Sequence, residues 1–313
     1  MQQQAPHILI FGLSGACAQS ALIHLSQSIP NAIFTGWSRT PQKIPSHLRQ
    51  LCREIKSGEI ADIHSKEIFK EFDLIIFTPP AKFLPKILQL SHCPLVALGS
   101  TRKFTKWPDA YAFEVLTAEK LLFADKRPAF FLHPTMIFGD ENNQNISKLG
   151  KIIKKFKILP LPKSGKYLVQ PIHYDDVGKA LAEAAKLLLL RVETSPCSLI
   201  ITGAQAFSYQ DLIHLLSKAQ NLSRRFILPL PLPCLLFFSF TFRKITKFFP
   251  KLTAYIPSPE AIRRLTEDKD FSFTEMEEIL GFSPTALNAE NWQKKLCLKR
   301  QRINFPKRKE WGE

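Results

Sequence analysis

Short apolar runs recur along the first half of the chain, each closed by glycine, proline or small polar residues. His7–Phe11, Asn31–Trp37, Asp73–Thr78, Pro94–Gly99 and Ala129–Thr135 are rich in Ile, Leu, Val and Phe. They are too short for helices and suit strands buried on both faces. A third, weakly marked strand with its crossover falls between Leu48 and Ile63, and Ser198–Gly203 adds a last one. Strands that alternate with helical stretches, with turn residues gathered after each strand, predict an α/β fold. It is a doubly wound parallel sheet with a smaller, mostly helical C-terminal region. The predicted division is 1–140 for the sheet domain, 141–298 for a substrate or lid region whose returning strand completes the sheet, and 299–313 for a basic tail.

The first run leads directly into Gly12-Leu13-Ser14-Gly15-Ala16-Cys17-Ala18. Gly12 permits the reversal, Gly15 permits close approach of a pyrophosphate, and Ala18 is small enough for the next helix to pack on the strand. That helix then points its N-terminus at the phosphates. An ordinary strand-turn-helix with no ligand remains the other reading of the same residues. Ligands of such sheets bind beyond the carboxyl ends of the strands, so Thr78, Pro79, Ser100 and Thr101 are expected to line the cleft that Gly12 and Gly15 open. The second run ends in Ser38-Arg39-Thr40-Pro41-Gln42-Lys43, with two bases and no acid. A carboxylate there would accept the ribose hydroxyls of NAD, whereas arginine accommodates the 2′-phosphate of NADP. NADP is therefore the expected dinucleotide and NAD the alternative; a plain solvated turn is the third reading of Arg39 and Lys43.

Composition narrows the partners. Hydrophobic residues make up 45% of the 313 and charged residues 22%, which fits a folded chain with a sizeable core. A net charge of +16 favours anionic partners: phosphorylated ligands, acidic lipid surfaces or nucleic acid. No helix-turn-helix, zinc-finger or RNA-binding signature accompanies it, so no specific nucleic-acid partner is expected. Cys17, Cys52, Cys93, Cys197, Cys234 and Cys297 are scattered and form no CxxC pair, so neither a metal site nor a disulfide framework is expected, and a reducing compartment fits. MQQQAP lacks the basic start and apolar stretch of a secretory signal, which sets the expectation of a cytoplasmic protein. The longest apolar segment, 227–242, is broken by Pro229, Pro231 and Pro233 and falls short of a membrane span. Residues 234–256 carry six phenylalanines, the bases Arg243, Lys244, Lys247 and Lys251, and no acid. One reading is an apolar lid packed over the substrate region, the preferred one. The other is an amphipathic helix on an anionic membrane surface. Together with the basic tail it keeps a peripheral membrane or protein partner in view.

The motifs GLSGACA, SRTP, the strand ending in GST, FFLHPTMIFGDENNQNIS, GKYLVQPIHYDDVGKAL and RRLTEDKDFSFTEMEEILGFSP follow one another from Ile8 to Pro284. In that order they resemble the extended and atypical short-chain dehydrogenase/reductase superfamily, nearest to its NAD-dependent epimerase/dehydratase branch. The resemblance implies a Rossmann domain that holds NAD(P) through Gly12, Ser14, Gly15, Ala16, Cys17, Arg39, Thr78, Pro79, Pro134 and Thr135. It also implies a catalytic Ser or Thr after the fourth or fifth strand, at Ser100 or Thr101, and a Tyr–Lys pair four residues apart on the next helix. The tyrosine exchanges a proton with the substrate oxygen; the lysine, on the same helix face, lowers the phenol pKa and holds the ribose. Alignment on Glu119 puts Tyr111 at the tyrosine position and Val115 at the lysine position, and valine can do none of that lysine's work. Lys120 falls on another face.

His133 stands where relatives carry the arginine of LRPT and reads as a core histidine, with catalysis the alternative. Asp140–Asn145 is the implied substrate-facing loop, or else a plain surface loop. Asp175 and Asp176 read as helix N-caps rather than a metal or acid/base pair, and Ser208 reads as a cap with Asp211 three residues on. The implied function is an NADP-preferring epimerase, dehydratase or reductase of a nucleotide sugar or other carbonyl or hydroxyl substrate. Val115 favours the alternative, a non-catalytic NADP(H)-binding assembly or sensing module at a membrane or protein partner.

Overall fold

A computed structural model of the chain describes residues 5–139, 146–245 and 257–287. Seven strands form one sheet: β1 His7–Phe11, β2 Ile33–Ser38, β3 Glu54–Ser57, β4 Leu74–Phe77, β5 Leu95–Leu98, β6 Ala129–Pro134 and β7 Pro196–Ile201. Their order is β3-β2-β1-β4-β5-β6-β7 and every pairing is parallel. Each apolar run of the sequence becomes a strand. The weakly marked one is the short edge strand β3, whose residues Glu54-Ile55-Lys56-Ser57 are none of them buried. It lacks the continuous apolar run because only one side of it meets another strand. β7 comes from the second half of the chain, as a returning strand should.

The period-2 alternation of the strands sorts side chains onto two faces. Ile8, Ile10, Leu74, Ile76, Val96, Phe130, Leu132 and Leu199 pack with α1 (Ala16–Ser28) and with the helix Tyr174–Leu189. Leu9, Phe11, Ile75, Phe77, Ala97 and Phe131 face the other way, against the helices Leu84–Leu90 and α2 (Ala110–Asp125); the helix Tyr174–Leu189 is α3 hereafter. Because β1 pairs with β2 on one side and β4 on the other, the strand order reverses beside it and opens a crevice at its carboxyl end. A separate apolar cluster of Phe138, Ile153, Leu159, Val169, Tyr209, Leu212 and Leu216 is the core of the smaller region. There the strands Ile158–Leu161 and Phe226–Pro229 pair in parallel.

Two expected caps come out differently. Ser208 Oγ accepts from the Asp211 N–H at 3.0 Å and donates to the Asp211 carboxylate at 2.6 Å, as the spacing predicts. Neither Asp175 nor Asp176 caps α3: the extended residue His173 does, its Nδ1 accepting from the Asp175 N–H at 3.2 Å. The aspartates lie inside the first turn, where side chains point outward to neighbouring elements. Asp175 accepts from Ser20 Oγ at 2.6 Å and lies 3.3 Å from His24 Nε2, both on α1; the His24 contact above all holds its carboxyl down to about 2. Asp176 accepts from Thr285 Oγ1 at 2.8 Å.

The helix α4 (Leu232–Ile245) buries Leu235 and Ser239 but leaves Phe237, Phe238, Phe240 and Phe242 exposed. The described part of the segment expected to pack as a lid is thus buried on one side of the helix only. Among the described residues no helix is long and apolar enough to cross a membrane. The expectations for Asp140–Asn145, Lys247, Lys251, the boundary at 140/141 and the tail 299–313 lie outside the described residues.

Candidate functional site

The crevice beside β1 is shaped by its turn. Gly12 has φ +80°, in the left-handed region, and a Cβ there would collide with Thr78 Oγ1. The Gly12 and Leu13 N–H groups donate to the Trp37 carbonyl at 2.9 and 3.2 Å, and the Gly15 N–H donates to Gly12 O at 2.8 Å. Thr78 Oγ1 donates to Phe11 O at 2.9 Å and so ties the ends of β4 and β1. Gly15 precedes α1 with no side-chain cap, and the first turn holds no acid, so the positive end of the helix stays uncompensated at the cleft. Ala16 and Cys17 form that first turn. The open cleft, about 210 Å³, is lined by Gly12, Ser14, Gly15, Arg39, Thr78 and Pro79, together with Trp37 and Glu59. These residues fit a dinucleotide: backbone N–H donors at a helix N-terminus, a side-chain-free turn, and a cation on the wall of the cleft.

Glu59 is the residue that sequence reading missed. No acid stands at the end of β2, but β3 delivers one from its own carboxyl end, 3.8 Å from Arg39. The signal was in the sequence; using it required the register of the indistinct third strand. Both side chains are more than half exposed, so the pair contributes only about 0–1 kcal/mol and leaves Arg39 available to a stronger anion. Lys43, in the turn Pro41–Lys43, does not line this cleft.

Ser100, Thr101, Pro134 and Thr135 do not line it either; they sit further along the same edge, at the exits of β5 and β6. The two hydroxyls beyond β5 are not equivalent. Ser100 Oγ accepts from the Arg102 N–H at 3.1 Å and keeps its proton, whereas Thr101 Oγ1 spends its proton on the Pro134 carbonyl at 3.1 Å. Ser100 can thus donate to a substrate oxygen and Thr101 cannot without breaking that bond. The Thr135 N–H donates to Ile201 O at 3.0 Å and joins β6 to β7.

Tyr111, in the first turn of α2, lies half-buried under the Arg102 guanidinium, 5.4 Å from ring centroid to carbon. Burial pushes its phenol above the ordinary value, with Arg102 pulling the other way, so it stays protonated at neutral pH. Asp109 caps α2 by accepting from the Ala112 N–H at 3.1 Å, and its other oxygen takes both Arg102 and Arg264, the latter at 3.0 Å. Glu267 accepts from Thr105 Oγ1 and the Lys106 N–H, and the half-buried Lys269 donates to Arg264 O at 3.2 Å. Burial lowers the Lys269 amine. Arg102 Nε is buried with no hydrogen-bond partner among the described residues. Beside Tyr111 itself the Arg102 cation faces the acids Asp109 and Glu114, and Arg264, Lys269 and Glu267 extend the cluster away from the ring. This cluster was not legible in advance, because 264–269 reach α2 only through the tertiary fold.

Val115 is fully buried in the apolar face over β4 and β5, and Lys120 is exposed. Glu119, one turn beyond Val115, gathers a polar knot instead. Its Oε1 accepts from Lys103 Nζ, from Ser198 Oγ at 2.5 Å and from His133 Nε2 at 3.2 Å. His133 Nδ1 accepts the Ser100 N–H at 3.2 Å, which fixes the neutral ring with its proton on Nε2. Burial holds the ring's pKa below its usual value, against the pull of Glu119. Burial would raise Glu119, but the bonds from His133, Lys103 and Ser198 outweigh it and hold the carboxyl down to about 2. His133 is completely buried and serves to fix the loop carrying Ser100.

No protein-family model matches the sequence, and no curated protein matches it. Solved structures do match. A nucleoside-diphosphate-sugar epimerase from Staphylococcus aureus superposes with a TM-score of 0.65 at 15% identity, covering 92% of this chain and 99% of that one. UDP-glucuronic acid 4-epimerase from Bacillus cereus, solved with UDP-glucuronic acid and NAD, gives 0.66 at 12% identity over 93% and 98%. UDP-glucose 4-epimerase from Thermotoga maritima, solved with UDP-glucose, gives 0.63 at 12% over 94% and 98%. Over nearly its whole length this chain has the fold of these nucleotide-sugar epimerases.

Proposed function

We infer that the protein binds NADP(H) at the Gly12–Cys17 turn and acts on a nucleotide sugar or a similar anionic carbonyl or hydroxyl substrate held at the exit of β5. The observation that carries this reading is the turn itself: Gly12 and Gly15 at an uncapped helix N-terminus, in one cleft with Arg39, Thr78 and Pro79. A bound dinucleotide supplies hydride exchange. In this chain Gly12, Ser14, Gly15 and the first turn of α1 would hold the pyrophosphate and Arg39 the 2′-phosphate. Pro134 and Thr135 would border the nicotinamide end. Ser100 offers a proton to the substrate oxygen, Tyr111 a second neutral donor, and Arg102, whose Nε has no hydrogen-bond partner among the described residues, a cation toward the charge of the substrate.

Exchange of Arg39 for alanine removes the cation that, among the described residues, lines the cleft and can face a 2′-phosphate. NADPH affinity in the Arg39→Ala protein is expected to drop about tenfold or more, in line with about 1.5–3 kcal/mol for a hydrogen bond to a charged group. NADH affinity should change little, and calorimetric titration with both cofactors checks the difference. Equal losses for both would remove the NADP preference.

A second reading has its own support. Val115, buried at the position where the resemblance implies lysine, cannot hold the ribose or assist a phenolate. A protein that keeps the dinucleotide as a structural or sensing ligand needs neither. Turnover separates the two: in a panel of UDP-sugars and simple carbonyls with NADPH, the enzymatic reading expects activity that falls at least about a hundredfold in Tyr111→Phe, the lower end of the range for one general acid. No turnover on the panel, with NADPH still bound, would leave the non-catalytic reading.

A further inference from the structure

Two stretches that the dinucleotide reading does not use share one character. Residues 146–174 contain seven lysines and no acid; residues 221–257 contain six bases and no acid. The fold joins them, since Phe226–Pro229 pairs in parallel with Ile158–Leu161, setting Phe226 beside Ile158 and Leu228 beside Pro160. Partners in register point to the same side of a sheet, and here that side is outward: Phe226 is 61% and Ile158 56% exposed. The first stretch enters this pair from the helix Ile146–Lys155, with Lys148, Lys151, Lys154, Lys155 and Lys157 all exposed. The second leaves it into α4, where Phe237 is 66% exposed and Phe238, Phe240 and Phe242 are about half so.

Large aromatic side chains seldom gather on a solvated face unless that face meets something else. Placing them on a helix, flanked by bases with no acid among them, is the composition of a segment that lies in the interface of a bilayer, its rings among the acyl chains and its lysines at the headgroups. We propose that the edge formed by α4, Phe226, Ile158 and the lysines of 148–157 docks the protein peripherally on an anionic lipid bilayer. Charge selects this occupant over a second copy of the chain: two such edges brought face to face would set like charges against one another.

Flotation of the full-length protein with vesicles tests this. Vesicles of phosphatidylcholine containing phosphatidylglycerol should carry the protein up, pure phosphatidylcholine should not, and added salt should weaken the association. Phe237→Glu with Phe238→Glu, both at exposed positions, should abolish flotation while the melting temperature and NADPH titration stay unchanged. Lys148, Lys151, Lys154 and Lys157 changed together to glutamine provide a second variant; on a scale of about fivefold per basic residue near such a surface, partitioning should fall more than about a hundredfold. Failure to float with anionic vesicles overturns the proposal. Equal binding to neutral vesicles, or retention of binding in both variants, does so as well. So does a dimer in sedimentation that the phenylalanine variant dissociates, since the occupant would then be a second copy.

Discussion

Gly12→Val is expected to cripple dinucleotide binding while leaving a folded protein. The substitution puts a β-branched side chain at φ +80°, a conformation that costs about 1–3 kcal/mol for a non-glycine residue. Its Cβ must also displace Thr78 Oγ1 from the bond that ties β4 to β1. The turn can give way only by moving the Gly15 end, and with it the helix N-terminus that would face the pyrophosphate. NADPH affinity should fall by about a hundredfold, the scale of about 2–3 kcal/mol from displaced backbone donors to a charged group. Gly281→Ala is the control. That residue has φ +68°, but none of the described residues comes within 4 Å of the methyl group that alanine would add, so the change brings backbone strain alone, away from the cleft. The control should lower the melting temperature and leave NADPH affinity unchanged, which separates loss of the cleft from general destabilisation.

Glu119→Ala is expected to be the most destabilising single change. It removes the common acceptor of Lys103, His133 and Ser198 and leaves the Lys103 ammonium, 9% exposed, without its counter-charge. Breaking a buried pair in this way costs about 3–5 kcal/mol. At about 2–4 °C per kcal/mol, thermal melts should fall by about 6 °C or more. Glu119→Gln, which keeps the shape and loses the charge, should fall in between. The same knot makes stability depend on pH. His133 has a folded pKa below its unfolded value of about 6.5, so its contribution is full above that value and declines as the pH falls, because the unfolded ring takes up a proton first. Glu119 acts lower: its contribution is complete above the unfolded value of about 4.3 and is lost as the pH falls toward about 2. Melts taken from neutral pH down to about 5 should show a decline that is smaller in His133→Gln, and an equal decline in both would remove His133 from that account.

The sheet was legible because parallel strands buried on both faces leave continuous apolar runs, as the five inner strands do here, while the second edge strand β7 was marked by Leu199-Ile200-Ile201. β3 was faint because an edge strand keeps polar side chains, and Glu59 stayed hidden with it. The dinucleotide turn could be read directly, since Gly12, Ser14 and Gly15 lie within four consecutive positions and their chemistry is local. The knot around Glu119 could not, because Lys103, His133 and Ser198 come from three separate elements brought together only by the order of β5, β6 and β7. The same reason hid the Asp109 cluster, whose Arg264 lies 155 residues further along the chain. Asp175 illustrates the converse: its position at a helix start suggested a cap, yet the partner that holds it lies across the helix interface on α1.

Trp37, on the wall of the cleft beside β1, reports directly on whether that cleft takes a dinucleotide. Titration of the purified protein with NADPH, followed by tryptophan emission, should give a saturable 1:1 change that Gly12→Val moves to about a hundredfold higher concentration and that NADH reproduces only at higher concentration. An emission signal that does not change with either cofactor, confirmed by calorimetry that registers no binding, would contradict the account.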